Sequence, residues 1–317
     1  MNLRRRVRDW WLARLQPVDQ WTLGQRTIYI VPTRAGLAFG VTLLILLLGS
    51  INYQLNLGYA LTFLLAGSAL ASMHMTHGSL RGLTLHLRPT AACHVGGAAL
   101  LEVVATNAGA ARHGLGFSVL PDHVQPTIAW TEIAARAQSV VTVSHEFSHR
   151  GHHALPALQV ESRFPFGLFR AWSVWRPAGR VWVYPQPESP APPLPHASPQ
   201  SDPGQHSRES PGGEFDGVRP WRRGDGPRQV VWKKVAHSGE MVSRDSREST
   251  RQQLWLDWAL TPGPTLEQRL ARLTAWVLAA EAQGVRWALR LPGTELPPDS
   301  GHAHREHALQ TLALWQA

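Results

Sequence analysis

The chain has 317 residues, room for about two domains of ~150 residues each, and 31 Lys and Arg outnumber 22 Asp and Glu for a formal charge of +9. With 44% hydrophobic and 17% charged residues, the whole chain is not intrinsically disordered. A single cysteine, Cys93, excludes an intramolecular disulfide framework and any multi-cysteine zinc module, and the 24 prolines and 27 glycines lack the period of a collagen-like chain.

A mean hydropathy of −0.18 conceals an uneven distribution. The first 34 residues hold seven arginines (Arg4, Arg5, Arg6, Arg8, Arg14, Arg26 and Arg34), after which no Asp, Glu, Lys or Arg occurs until Arg81. Inside that window lie two 17-residue apolar runs, Ala35–Ile51 and Leu57–Met73, each at the lower end of the ~17–25 residues that cross a bilayer. The polar knot Asn52-Tyr53-Gln54-Leu55-Asn56 between them predicts a tight turn with an interfacial aromatic. The expectation is a two-pass helical hairpin over 35–77, the alternative being a buried helical hairpin in a soluble core. With basic residues flanking both ends and none in the turn, the positive-inside rule places both termini in the cytoplasm. Val7, Trp10, Trp11 and Leu15 would form the apolar face of a short interfacial helix, its arginines meeting anionic lipid.

Beyond Gly78 the period changes to two. Leu83, Leu85 and Leu87 alternate with polar residues as in a half-buried strand, and further strands are predicted at Leu101–Thr106, Leu115–Leu120, Ser139–Ser144, Ala157–Val160 and Val181–Tyr184. Short strands separated by turn residues point to an antiparallel, β-sandwich-like module over 78–188. His145-Glu146-Phe147-Ser148-His149 matches H-E-x-x-H, a zinc motif when a helix sets both histidines on one face. The β-formers Val140, Val141, Thr142 and Val143 precede it. On a strand, residues four apart stand ~13 Å from each other, too far to share an ion held at ~2 Å.

Pro185 to Pro203 is dense in proline and serine and predicts an extended connector, assigned to 189–205. Past it, Gly213 to Ala236 interleaves six basic residues with Trp221, Trp232 and acids. Gly224-Asp225-Gly226-Pro227 is a turn by composition, and Asp225 would cap a helix over Arg228–His237. Three readings stand side by side: an internal network pairing Arg219 and Arg228 with Glu214 and Asp225; a docking surface for an acidic partner, since Arg and Trp dominate interface hot spots; and phosphate and base contacts to nucleic acid. No Walker A pattern and no dinucleotide glycine fingerprint occurs.

The segment resembles the signature of a bacterial family named domain of unknown function 58. Gly213, Phe215, Arg219, Trp221, Gly224, Asp225, Arg228, Trp232, Lys233 and Ala236 fit its pattern, with Glu214 beside the phenylalanine. Supporting matches are Asn52 to Tyr59, Arg150-Gly151, Pro165-Phe166-Gly167-Leu168-Phe169, Leu289 to Gly293 and Gly301-His302, so the resemblance covers nearly the whole chain. Val231 and His237 depart from it. The resemblance implies a von Willebrand A-like last part, a MoxR-type AAA+ ATPase as partner, a scaffolding role and no established catalysis. The partner-binding residues would be Glu214, Phe215, Arg219, Trp221, Arg222, Gly224, Asp225, Arg228, Trp232 and Lys233.

In the last third, Leu254 and Leu256 predict a buried strand ending at Asp257. Thr265 would cap a helix carrying Leu266, Leu270, Leu273 and Val277, ended by Gly284. Val285, Trp287, Leu289 and Leu291 predict a second strand, and 303–315 a closing helix. That order argues for a parallel sheet. Where a von Willebrand A fold places Asp-x-Ser-x-Ser around a divalent metal, this chain has Asp257-Trp258-Ala259-Leu260-Thr261, with no oxygen at Ala259. A shortened module with a degenerate metal site at Asp257 and Thr261 is expected, and His302, His304 and His307 as exposed helix-start histidines.

The expected architecture is therefore mixed: a basic segment at 1–34, the transmembrane helical hairpin, the sandwich-like module, the linker, and an α/β von Willebrand A-like module over 206–317. The expected function is a non-enzymatic assembly protein of the bacterial inner membrane. It uses no cofactor and no nucleic acid, and its partners are the lipid bilayer, a MoxR-type AAA+ ATPase and other membrane proteins. The alternatives are a metal-dependent hydrolase using Asp257 and a nucleic-acid binder.

Overall fold

The computed structural model describes residues 12, 14–120, 127–195, 218–220, 242–244 and 254–316. The chain divides into two units, 1–186 with 309–316, and 187–308 with residue 317. Described in the first unit are β1 (Gln20–Thr22), β2 (Tyr29–Pro32), the helices α1 (Arg34–Asn52) and α2 (Asn56–Leu80), then β3 (Leu83–Leu87), β4 (Cys93–His94), β5 (Ala98–Asn107), β6 (Arg112–Val119), β7 (Ala129–Ile133), β8 (Gln138–Glu146), β9 (Gly151–Ala154), β10 (Leu158–Ser162), β11 (Phe169–Trp175) and β12 (Arg180–Tyr184).

Alternation decides which side chains go inward. Along β5, Ala99, Leu101, Val103 and Ala105 are buried while their neighbours face out, and Leu83 and Leu85 do the same on β3. The first sheet runs β1-β3-β5-β8 and the second β2-β11-β10-β6-β7, with β4-β12-β9 as a third. Apart from the parallel β4–β12 pair, every pairing among these strands is antiparallel. Their inward residues merge into one core, in which Leu101 and Val143 of the first sheet join Leu115, Phe117 and Val160 of the second and Val183 of the third. All six strands predicted in this region are present, within a few residues of their expected limits.

The described residues ahead of α1 do not stand apart as a preface. β1 pairs with β3 and β2 with β11, the Trp175 indole donates to the Val18 carbonyl at 2.9 Å, and the Ser173 hydroxyl to that of Thr27 at 2.8 Å. Extended backbone needs partners wherever it is screened from water, and these edges supply them. The proposed interfacial helix around Val7 to Leu15 falls largely outside the described residues.

β2 runs directly into α1. Thr33 is the N-cap, its hydroxyl accepting from the Gly36 N–H at 3.1 Å and donating to the Gly167 carbonyl at 2.6 Å. At the far end Gln54 takes φ +52, and the Leu55 N–H returns to the Ser50 carbonyl at 3.0 Å, a Schellman closure that turns the chain into α2. α2 is six residues longer than α1, and its surplus packs on the second sheet. The Thr76 hydroxyl donates to the Phe164 carbonyl at 2.7 Å, and the Arg112 guanidinium binds the carbonyls of Gly78 and Arg81, satisfying acceptors that a helix C-terminus leaves open. Gly82, at φ +80, then starts the sandwich with no linker between.

Described in the second unit are the antiparallel ribbon β13 (Val218–Pro220) and β14 (Val242–Arg244), then β15 (Leu254–Asp257), a single 3-10 turn (Trp258–Leu260), α3 (Leu266–Ala282), β16 (Trp287–Leu291), β17 (Thr294–Asp299) and the first half of α4 (His302–Leu314), whose residues from 309 on are counted with the first unit. As expected, Thr265 caps α3, Gly284 follows it in the left-handed region at φ +64, and β15 and β16 are parallel. The sheet is nonetheless mixed. Pro292-Gly293, with Gly293 at φ +80, closes a tight hairpin that lays β17 antiparallel on β16. Pro297 and Pro298 are tolerated there because β17 is an edge strand.

A Cβ at Gly36 would fall inside the van der Waals radius of the Leu168 carbonyl oxygen, whereas one at Gly40 meets nothing within 4 Å. Gly36→Ala is therefore expected to destabilise the first unit by about 1–3 kcal/mol, as overpacking does. Gly40→Ala should leave it unchanged or slightly more stable, and thermal unfolding of the two purified variants in detergent distinguishes them.

Candidate functional site

Of the ten residues assigned to partner binding, Glu214, Phe215, Trp221, Arg222, Gly224, Asp225, Arg228, Trp232 and Lys233 lie outside the described residues, as does the helix expected over Arg228–His237. Arg219 is placed by its backbone alone, at the middle of β13 opposite Ser243. The motif's chemistry thus rests on the sequence.

Asp257 and Thr261 are both described. Asp257 ends β15 and caps the following turn, its Oδ1 accepting from the Ala259 N–H at 2.8 Å. Its Oδ2 faces Arg290 Nη1 at 3.4 Å, the two residues being register partners on β15 and β16. The Arg290 guanidinium also donates through Nε to Glu295 Oε1 at 2.6 Å and lies over the Trp255 ring at 4.3 Å. The Glu295 hydrogen bond, ahead of the Coulomb field of Glu295 and Asp257, raises the Arg290 pKa further above its ordinary value. Thr261 is buried, and its hydroxyl turns back onto the Trp258 carbonyl at 2.6 Å. Where the von Willebrand A pattern would set a cation, this chain holds a permanent one of its own, bound to two carboxylates and an aromatic face. A divalent ion at Asp257 would have to displace it.

The histidines are not a set. His304 is half-buried, its Nε2 within 3.0 Å of the Trp287 carbonyl and its ring against that indole. That placement differs from the exposed position expected. His302 pairs with Glu306 one turn on, and His307 is exposed. In the H-E-x-x-H segment, His145 and Glu146 end strand β8, as expected, while Ser148 and His149 lie past it. Among the described residues no group of three or more His, Cys, Asp or Glu is placed to hold a metal ion.

The start of the Pro-rich segment is not a free connector. The Glu188 N–H donates to the Ala271 carbonyl at 3.1 Å, its carboxylate takes both Arg272 Nε and Nη2, and the Trp276 indole donates to the Pro193 carbonyl at 2.8 Å. Residues 188–193 are thereby clamped along α3.

The largest unexplained surface belongs to the α1–α2 hairpin. Both helices are long and apolar enough to cross a membrane, and only 6% and 11% of their most apolar windows are buried. Leu37, Val41, Leu44, Ile45 and Leu48 of α1 are each more than half exposed, as are Leu57, Phe63, Leu64 and Leu70 of α2. Apart from Leu80 at the foot of α2, what the hairpin fully buries is small and polar, Ser50, Thr62, Ser72, Thr76 and Ser79. Gly58 rests so close to Ser50 that a Cβ there would overlap the Ser50 hydroxyl. Sequence periodicity finds the helices but not this inversion, in which the largest side chains face outward.

Comparison with known proteins returned no matching family model, no similar curated protein and no similar solved structure.

Asp257→Ala removes a turn cap and an ion pair, whereas Asp257→Asn can keep the cap. The alanine variant is expected to be about 1 kcal/mol less stable than the asparagine variant, the worth of one cap. The unfolding midpoint of neither, nor of the parent, should shift on adding a chelator. Separately, the Arg272 hydrogen bond holds the Glu188 carboxyl below its usual pKa. A depressed acid contributes stability above its unfolded pKa and loses it as pH falls through the folded value. Protection of the Glu188 amide against hydrogen exchange, relative to the α3 interior, should therefore decline below the usual carboxylate range. In Glu188→Gln it should be weaker at neutral pH and insensitive to acid.

Proposed function

We propose that the chain is a two-pass integral membrane protein whose hairpin anchors a non-enzymatic interaction platform. The single observation that carries the anchor is the inversion of the hairpin. Each large aliphatic side chain left in water forgoes ~1.5–3 kcal/mol of burial, so the exposed residues of α1 alone forgo a sum comparable to the whole ~5–15 kcal/mol of a domain's stability. Lipid removes that cost. Helices that associate within lipid do so through small residues and short hydroxyls, the residue types at the Gly58–Ser50 contact.

The arginines flanking both ends of the hairpin and the uncharged turn support an orientation with the bulk of the chain in the bacterial cytoplasm. The resemblance of Gly213 to Ala236 to domain of unknown function 58 supports a scaffolding role. Its tryptophans and arginines are the residue types of a protein-docking surface. The partner is a MoxR-type AAA+ ATPase, and the β15-α3-β16 crossover is the opening of a von Willebrand A-like module. The Asp257 hydrolase alternative draws no support from an aspartate already engaged by a backbone N–H and by Arg290.

Cell fractionation tests the anchor. The protein should stay with membranes through alkaline carbonate extraction, and a Tyr53→Cys variant on a Cys93→Ser background should react in whole cells with a membrane-impermeant maleimide. Recovery in the soluble fraction overturns the reading. For the platform, capture of the ATPase by detergent-extracted protein should fall at least tenfold in Arg219→Ala/Arg228→Ala, and undiminished capture by the folded variant rejects that surface.

A further inference from the structure

We propose that the Arg163–Phe169 loop, with the neighbouring edge of the second sheet, is a seat for the membrane surface itself: Phe166 enters the lipid boundary, and Arg163 and Arg170 bind the phosphates of anionic phospholipids. The inference rests on the anchor proposed above and adds a site to it.

The position of the loop follows from helix lengths. From the turn at residues 53–55, the 19 residues of α1 descend ~28 Å to Thr33, and α2 descends ~30 Å to Thr76, at 1.5 Å per residue. That matches the ~30 Å of a bilayer's hydrocarbon core. The two threonines that end this descent both grip the same loop, Thr33 at Gly167 and Thr76 at Phe164. The loop is therefore held from both helices at the depth where hydrocarbon gives way to headgroups. At its tip Phe166 is 66% exposed, a placement without merit in water and suited to an interface.

One step further from the hydrocarbon the chemistry changes. Pro32 pairs with Phe169 and Val31 with Arg170, so Arg170 lies on the next rung of the β2–β11 ladder and Tyr29 stacks on Trp172 two rungs beyond, ring centroids 4.9 Å apart. The side chain organising this face is Glu161, 0% exposed. It accepts from Arg163 Nη2 at 3.1 Å, from Arg170 Nε at 2.8 Å and from Gln159 at 3.1 Å. A buried carboxylate between two guanidiniums fixes their geometry yet neutralises only one charge. The arginines remain half and one-third exposed, with Arg34 exposed at the start of α1. Apolar tip, then paired guanidiniums, then an aromatic pair is the order in which a bilayer presents acyl chain, phosphate and outer headgroup.

The test uses the full chain reconstituted in phosphatidylcholine vesicles with and without phosphatidylglycerol. On a Cys93→Ser background, nitroxides are placed at Phe166→Cys, at Leu37→Cys on α1 and at Leu100→Cys on the outer face of the first sheet. Collisions with oxygen and with a water-soluble nickel chelate then report depth. A Phe166 label shielded from the chelate like that at Leu37 supports the seat. A shielded Leu37 label with a Phe166 label as chelate-accessible as that at Leu100 overturns the seat and leaves the anchor. A chelate-accessible Leu37 label overturns both. For the phosphate contacts, selectivity for spin-labelled phosphatidylglycerol over phosphatidylcholine should drop about fivefold or more in E161Q/R163Q/R170Q, from ~1 kcal/mol per surface arginine. That triple variant leaves no orphan buried carboxylate. R163K/R170K should retain most of the preference, and unchanged selectivity in a folded triple variant overturns the phosphate assignment.

Discussion

The outward-facing hydrocarbon of α1 and α2 is the constraint to which the rest of the first unit answers. In a water-soluble fold Leu44, Ile45 and Leu48 would turn toward α2 and the hydroxyls of Ser50 and Thr62 toward solvent; here the reverse holds. Short hydroxyls are cheap to bury in a helix because each can return to its own backbone. Ser50 donates to the Leu46 carbonyl and Thr62 to that of Gly58, so both of these hydroxyls are satisfied within their own helix, while the buried Ser72 hydroxyl has no partner among the described residues. Small residues then let the backbones approach, and dispersion between close backbones does the work that hydrophobic burial does elsewhere.

A rigid junction follows from where the hairpin's polar ends are satisfied. The N-cap of α1, the last turns of α2 and the carbonyls at its C-terminus all find partners in the second sheet or in the Arg163–Phe169 loop. A flexible tether would leave these groups to water. Here β2 enters α1 through one capping residue and α2 leaves into β3 through the two residues Arg81 and Gly82. Displacement of the sandwich is thus transmitted to the helices. Residues 187–308 form a separate unit, clamped internally by Glu188 and Arg272.

Period and punctuation disclosed much of this architecture. Leu83, Leu85 and Leu87 announce β3 because one of their faces is buried, and Thr265 and Gly284 bracket α3 because caps are local chemistry. β1, β2, β7 and β11, like the short β4 and β9, leave little local signal for an equally physical reason. Val31 and Trp130 place apolar side chains on the outer face, which erases the two-residue contrast. The arginines of the first 34 residues weigh toward a charged preface, while the pairing of β2 with β11 is a contact across well over a hundred residues that no local window contains. The third strand of the β15-β16-β17 sheet is hidden by Pro297 and Pro298. The basic-aromatic motif remains legible as sequence alone, since its side chains fall outside the described residues.

Glu161 and Asp257 show how differently one kind of group is used in the two units. Each carboxylate is engaged by arginine and neither stands beside a second acid and a histidine, the company that general acid–base or metal chemistry keeps. At Asp257 the guanidinium is itself shared with Glu295 and stacked on Trp255, so charge is closed off and the site is inward-looking. At Glu161 the ratio is inverted, one anion to two cations, and the surplus faces outward beside an exposed phenylalanine. Removing one partner of a buried pair costs far more than the pair contributes, so Glu161 holds both guanidiniums in place while their excess charge stays exposed. For an array held at the foot of an apolar hairpin, the anionic surface of a bilayer would be the counter-charge in the seat proposed above.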